Sequence, residues 1–230
     1  MTRRLDERPA LTRLRLEAVL ALAPAVWLIP VALLVIAFMH GGLGGGAALW
    51  AVHFPENTEA MLPIAFGLAS AHLLLVEHDD GQIEMAGAYP MGAVARTRLL
   101  ALVGGGWVLV FLGFLVLRIL FGPVPFWTGL LTALGPGLFL GGISCWLAAY
   151  TGRVTMGYLM AIGIPVMDLV LRLLGGFQVL APLQFVNVFA WRWALATPPW
   201  WTVKVVMAAA GLLFYAKAAG SWRVYSVHHL

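Results

Sequence analysis

Between Val76 and Leu99 the chain carries its one sizeable polar island, and apolar runs long enough to cross a bilayer flank it on both sides. The island reads Glu77-His78-Asp79-Asp80-Gly81-Gln82-Ile83-Glu84, then Met85 to Tyr89, Pro90, and a basic exit at Arg96 and Arg98. Four of the ten carboxylates in the chain fall within its first eight residues. Hydrocarbon cannot solvate such a segment, so it must lie in water or against another protein. It is the expected docking surface of an otherwise apolar molecule.

Composition sets the environment of that segment. Of 230 residues, 62% are hydrophobic and 10% are charged, whereas an average soluble domain is roughly a quarter charged. The mean hydropathy is +0.92. The expected class is therefore all-α and polytopic, a single transmembrane domain with nearly every residue in a span or a short connection. The only cysteine, Cys145, lies in an apolar run with no partner for a disulfide or a thiolate metal site, which leaves packing as its role. The formal charge of +4 does not point to nucleic acid. Its basic residues cluster at membrane edges, where they set topology.

Six spans are expected, over 18–39, 60–76, 99–121, 126–150, 155–174 and 201–220, each near the ~20 residues needed to cross hydrocarbon. Residues 1–17 interleave Arg3, Arg4, Arg8, Arg13 and Arg15 with Leu5, Leu11, Leu14 and Leu16. Such a segment can lie along the headgroups as an amphipathic helix, or it can be a basic tail that only orients the first span. Ala21-Leu22-Ala23 resembles a signal cleavage site, but the apolar run continues to Met39, as in an uncleaved span. Glycines and prolines within the runs, such as Gly104-Gly105-Gly106 and Gly135-Pro136-Gly137, permit kinks or close helix contact.

Orientation follows from the basic residues. With the N-terminus in the cytoplasm, the inner side receives Arg3, Arg4, Arg8, Arg13, Arg15, Arg96, Arg98, Arg153, Lys217 and Arg223. The outer side receives only Arg118, Arg172, Arg192 and Lys204, in keeping with the positive-inside rule. Both termini are then cytoplasmic, and Trp50, Phe54, Phe126, Trp127, Trp191, Trp193, Trp200 and Trp201 form an outer aromatic belt. His40 to Glu59 reads as a glycine-rich outer turn; it lacks the Gly-Lys-Ser/Thr ending of a nucleotide loop. Residues 175–200 are apolar but broken by Pro182, Gln184, Asn187, Arg192 and Pro198-Pro199, which favours a re-entrant pair of short helices.

The stretch Glu77 to Glu84 followed by Tyr89-Pro90 resembles the segment between spans two and three of ABC-2 type transporter permeases. In that family an acidic/basic cluster, Gly-Thr-Leu-Glu, a proline and a basic residue form a coupling helix that sits in a cleft of the ATP-binding subunit. The matching positions here are Glu77, Gly81, Glu84 and Pro90, and the resemblance places Asp79, Asp80 and Tyr89 in the same contact surface. Gln82 replaces the usual Thr, Ala86-Gly87 replaces leucines, and Arg98 replaces a frequent Lys. The basic start, six spans and broken segment before the last span extend the likeness over nearly the whole chain. It implies a permease subunit in a prokaryotic plasma membrane, working in export. Separate ABC ATPase subunits would hold the ATP and Mg, with a second permease copy or a sister permease completing the path.

The residues also support this role without the family. Gly81 allows a tight turn, Asp79 and Asp80 suit a helix N-terminus, and Tyr89-Pro90 ends the helical stretch. A plain solvated loop is the simpler alternative. The chain has only two lysines, neither after a glycine-rich loop, so no Walker motif, cofactor site or catalytic triad is expected within it. Three polar residues fall inside spans: His72, and the pair Asp168 and Arg172, four apart on one helix face. They can be structural or can line a substrate pathway. An ion-coupled secondary transporter using His72, Asp168 and Arg172 is the rival reading. His78 beside Asp79 and Asp80 lacks further metal ligands, and His228-His229 reads as a tail.

Overall fold

The computed structural model describes residues 7–41, 47–75, 91–122, 124–173 and 198–228, and every regular element among them is helical. They are α1 (Glu7–Gly41), α2 (Ala47–His72), α3 (Met91–Leu100), α4 (Gly106–Phe121), α5 (Phe126–Thr151), α6 (Val154–Leu173) and α7 (Pro198–His228). A π-helical turn, Ala101–Gly105, joins α3 to α4 as one rod. In an apolar medium a backbone must satisfy its own polar groups, which is why a sequence this greasy resolves into helices.

Glycine sets two of the boundaries. Gly122 takes φ +89° and its N–H donates to Arg118 O at 3.1 Å, closing α4. Gly152 takes φ +63°, the left-handed cap of α5, and the following Arg153 N–H reaches back to Ala148 O at 3.2 Å. A side chain at either position would be strained.

Helices α2 and α5 form the centre. Phe54 and Phe66 of α2 fill the spaces above Gly129 and Gly106, and Phe66 stacks on Trp107 at 4.7 Å between centroids. Helix α7 lies on α5 at backbone distance: a Cβ on Gly135 would come 2.6 Å from Lys204 O, and one on Gly142 would overlap Gly211 O. Helix α6 closes another side through Gly67 against Ala161 and Gly157 against Ala71. Helices α1 and α4 pair at the periphery, Leu22 over Gly105 and Leu33 over Gly113. These pairings make α2, α5 and α7 mutually parallel, with α1, the α3–α4 rod and α6 opposed to them.

Four described helices are long and apolar enough to cross a membrane, within Ala21–Met39, Val94–Phe121, Phe126–Thr151 and Trp201–Ser221. Their outward faces carry large apolar side chains such as Trp27, Leu34, Ile119 and Leu213. That is consistent with a membrane-embedded bundle, since exposed apolar surface on this scale does not suit water.

Several sequence expectations need correction. The boundary between a separate interfacial segment 1–17 and the first span is not a break: α1 runs unbroken from Glu7 through Ala18 to Gly41. Residues 47–59, expected in an outer turn, are the first half of α2. The basic exit 91–98 is helix α3, continuous with the next span, and α7 continues past residue 220 through His228. Phe54 and Phe126 are core residues rather than an aromatic belt, whereas Trp127 and Trp201 do lie exposed. The re-entrant expectation for 175–200 falls on 174–197, outside the described residues.

Candidate functional site

The docking residues expected from sequence, Glu77, Asp79, Asp80, Gly81, Glu84, Tyr89 and Pro90, lie in 76–90, outside the described residues. The two helices that bracket them are described. After α2 the chain makes a tight final turn, with Leu73 N–H to Ser70 O at 3.2 Å and Leu75 N–H to His72 O at 3.1 Å. Leu73, Leu74 and Leu75 are all buried. Across from them, Arg98 of α3 is 1% exposed and its guanidinium donates to Leu73 O, a long bond of 3.4 Å. Arg98 of α3 thus reaches the chain just past the end of α2. Arg96, two residues earlier, is exposed. Sequence reading placed both arginines at the water edge; helical spacing separates them, because Arg98 shares a face with buried Ala95 and Leu102.

His72 is also at this end. Its Nε2 is hydrogen-bonded to Tyr158 Oη of α6, and the rings meet edge to face at 5.1 Å. Tyr158 stands ten residues before Asp168 on α6, roughly 15 Å along a helix axis at 1.5 Å per residue. His72 and Asp168 therefore belong to different levels of the bundle and do not form one relay. Between those levels Ser70 Oγ and Tyr215 Oη share a buried hydrogen bond of 2.8 Å. Gly141 of α5 makes room for it, since a Cβ there would come 3.0 Å from Ser70 Oγ and would overlap the phenol oxygen.

A buried ion pair was not singled out from sequence. Lys204 Nζ of α7 is paired with Glu59 Oε1 of α2, with only 3% and 1% of their side chains exposed. Lys204 had been read as an outer-edge cation and Glu59 as the end of a loop. Gly135 explains how the lysine reaches inside: without a side chain there, the α7 backbone at Lys204 closes directly onto α5. Asp168, 8% exposed, belongs near this level. The contacts of Ala161 with Gly67 and of Gly157 with Ala71 fix α2 and α6 in antiparallel register. Continuing that register two turns sets Asp168 beside Ala60. Ala60 and Ile164 share the same small cluster around Leu140 and Met207. Arg172 lies one turn further along α6, and its side chain is outside the described residues.

Unlike charges buried together cost several kcal/mol each in desolvation, which their attraction and hydrogen bonds roughly offset. A charge deep in a bilayer faces a similar penalty. The pair therefore works as a geometric constraint between α2 and α7 more than as net stabilisation. Further out on α2, His53 Nδ1 and Glu56 Oε2 lie 3.2 Å apart. Thr58 Oγ1 donates to Pro55 O at 2.9 Å and approaches Gly129 O of α5 at 3.4 Å. Glu56, Thr58 and Glu59 of this polar run thus have partners within the bundle. No group of three metal-ligating side chains occurs among the described residues.

Comparison with known protein families, with curated proteins and with solved structures finds no match to this chain.

Proposed function

We propose that the chain is the membrane-spanning permease subunit of an ABC-2 type transporter. In this reading six helical rods cross a prokaryotic plasma membrane with both termini cytoplasmic. The segment 76–90 docks on a separate ATPase subunit, which binds ATP and Mg, and a second permease subunit completes the export path. The observation that carries the reading is the charged segment Glu77–Glu84, across which Arg98 of α3 bonds to the chain just past α2. Alternating rod directions support it, because they return every connection to the side that topology requires. The four long apolar helices support it as well.

An ion-coupled transporter drawing on His72, Asp168 and Arg172 loses support from the separation of His72 and Asp168 described above. It predicts gradient-driven transport by the isolated chain, without an ATPase.

The test is co-expression of the tagged chain with ATPase subunits encoded by the same genome, followed by purification and ATPase assay. A specific ATPase should co-purify with the wild-type chain. Glu84→Ala and Gly81→Pro should weaken that assembly or its substrate-stimulated hydrolysis. Unchanged assembly together with unchanged stimulated activity in both variants would remove the proposal.

A further inference from the structure

Arg98 is 1% exposed, and a guanidinium is expensive to bury unless it is hydrogen-bonded. One bond that the arginine makes is directional and joins two stretches far apart in the chain. Its partner Leu73 O lies just beyond the C-terminus of α2, where carbonyls lack intrahelical partners and carry the negative end of the helix dipole. A cation is favoured there. The bond spans 25 residues of sequence, and the segment 76–90 lies between its two ends in the chain.

From this geometry we infer that Arg98 is the positioning residue that ties the two stems of the 76–90 segment together, so that a load on the segment moves α2 and α3 as one unit. The π turn that begins three residues later, Ala101–Gly105, lies on the other side of Arg98 from the segment. The bond therefore falls on the arm Met91–Leu100, which itself packs on α1 and α7. Arg96 is the internal control: same charge, same helix, exposed. The inference rests on the permease reading for its consequence in transport, but the stem-to-stem bond can be tested without any ATPase.

The experiment is hydrogen exchange on the full chain in lipid nanodiscs for wild type, Arg98→Met, Arg98→Lys and Arg96→Met. In Arg98→Met the backbone amides of 73–75 and 91–98 should exchange about tenfold faster, the factor carried by about 1.4 kcal/mol. Those of α5 and α7 around Gly142 and Gly211 should keep the wild-type rate. Arg98→Lys, which retains the charge, should give a smaller rise, and Arg96→Met none. If Arg98→Met does not fold, the contrast between Arg98→Lys and Arg96→Met decides alone. Unchanged exchange at the stems overturns the inference. So does a rise spread evenly through the bundle, the signature of an ordinary core residue. With a co-purified ATPase, Arg98→Met should retain the partner but lose at least half of the stimulated hydrolysis. Failure to find any ATPase would sink the permease reading and leave the exchange result standing.

Discussion

Helices α5 and α4 are both apolar and both long, yet 61% of the spanning window of α5 is buried against 22% for the α3–α4 rod. The difference lies in residue size. Helix α5 presents Gly129, Gly135, Gly137, Gly141 and Gly142, and each receives an atom from a neighbouring helix. Helix α4 meets the bundle along one line, where Gly106 and Gly113 admit Phe66 and Leu33. Its other face is bare Val108, Leu112, Leu115 and Ile119. In a soluble protein the leucine-rich helix would be the core. Lipid tails are as apolar as leucine, so association here depends on close packing and polar contacts, and small residues mark the centre.

The largest effect expected within that central group comes from its ion pair. Glu59→Gln or Lys204→Met alone leaves a buried charge without its partner and should cost about 3–5 kcal/mol in unfolding free energy measured in bicelles. The double variant Glu59→Gln/Lys204→Met should recover most of the loss. Additive losses in the double variant would mean that the pair does not couple α2 to α7.

That pair also shows where sequence reading stops. Both ends of α5 and the start of α6 are legible because Gly122, Pro125 and Gly152 punctuate the chain locally. Glu59 and Lys204 are 145 residues apart, and each alone reads as a water-seeking charge at a span edge. One local signal was available: Glu59 continues the buried stripe of Leu62, Phe66 and Ala69 at helical spacing. The same holds for Arg98 among Ala95 and Leu102. His72 was visible as a polar residue within a span, but its partner Tyr158 was not, because the pairing depends on the register of α2 against α6.

A smaller effect follows from the glycine contacts. Gly142→Ala drives a methyl into the Gly211 carbonyl and should cost about 1–3 kcal/mol by overpacking. Ile119→Ala, on the bare face of α4 and 82% exposed, should stay within about 0.5 kcal/mol, as surface changes do. Equal losses would erase the contrast between the two helices. Next comes Tyr215→Phe, which removes the bond to Ser70; about 0.6 kcal/mol is the average found for such bonds within membranes.

The last prediction separates packing from backbone freedom within one triplet. Gly104, Gly105 and Gly106 are adjacent, but only the last two are in contact: Leu22 crowds Gly105, and the ring of Phe66 crowds Gly106. A Cβ on Gly104 would meet nothing within 4 Å. Gly106→Ala should therefore destabilise the bundle, whereas Gly104→Ala should be neutral or stabilising by up to about 1 kcal/mol, because alanine restricts the unfolded chain and favours helix. The residue lies in the π turn, so the stabilised variant should also protect amides 101–105 from exchange. If Gly104→Ala instead destabilised as much as Gly106→Ala, the open side of the rod would have to be covered, and the peripheral position of α4 would be wrong.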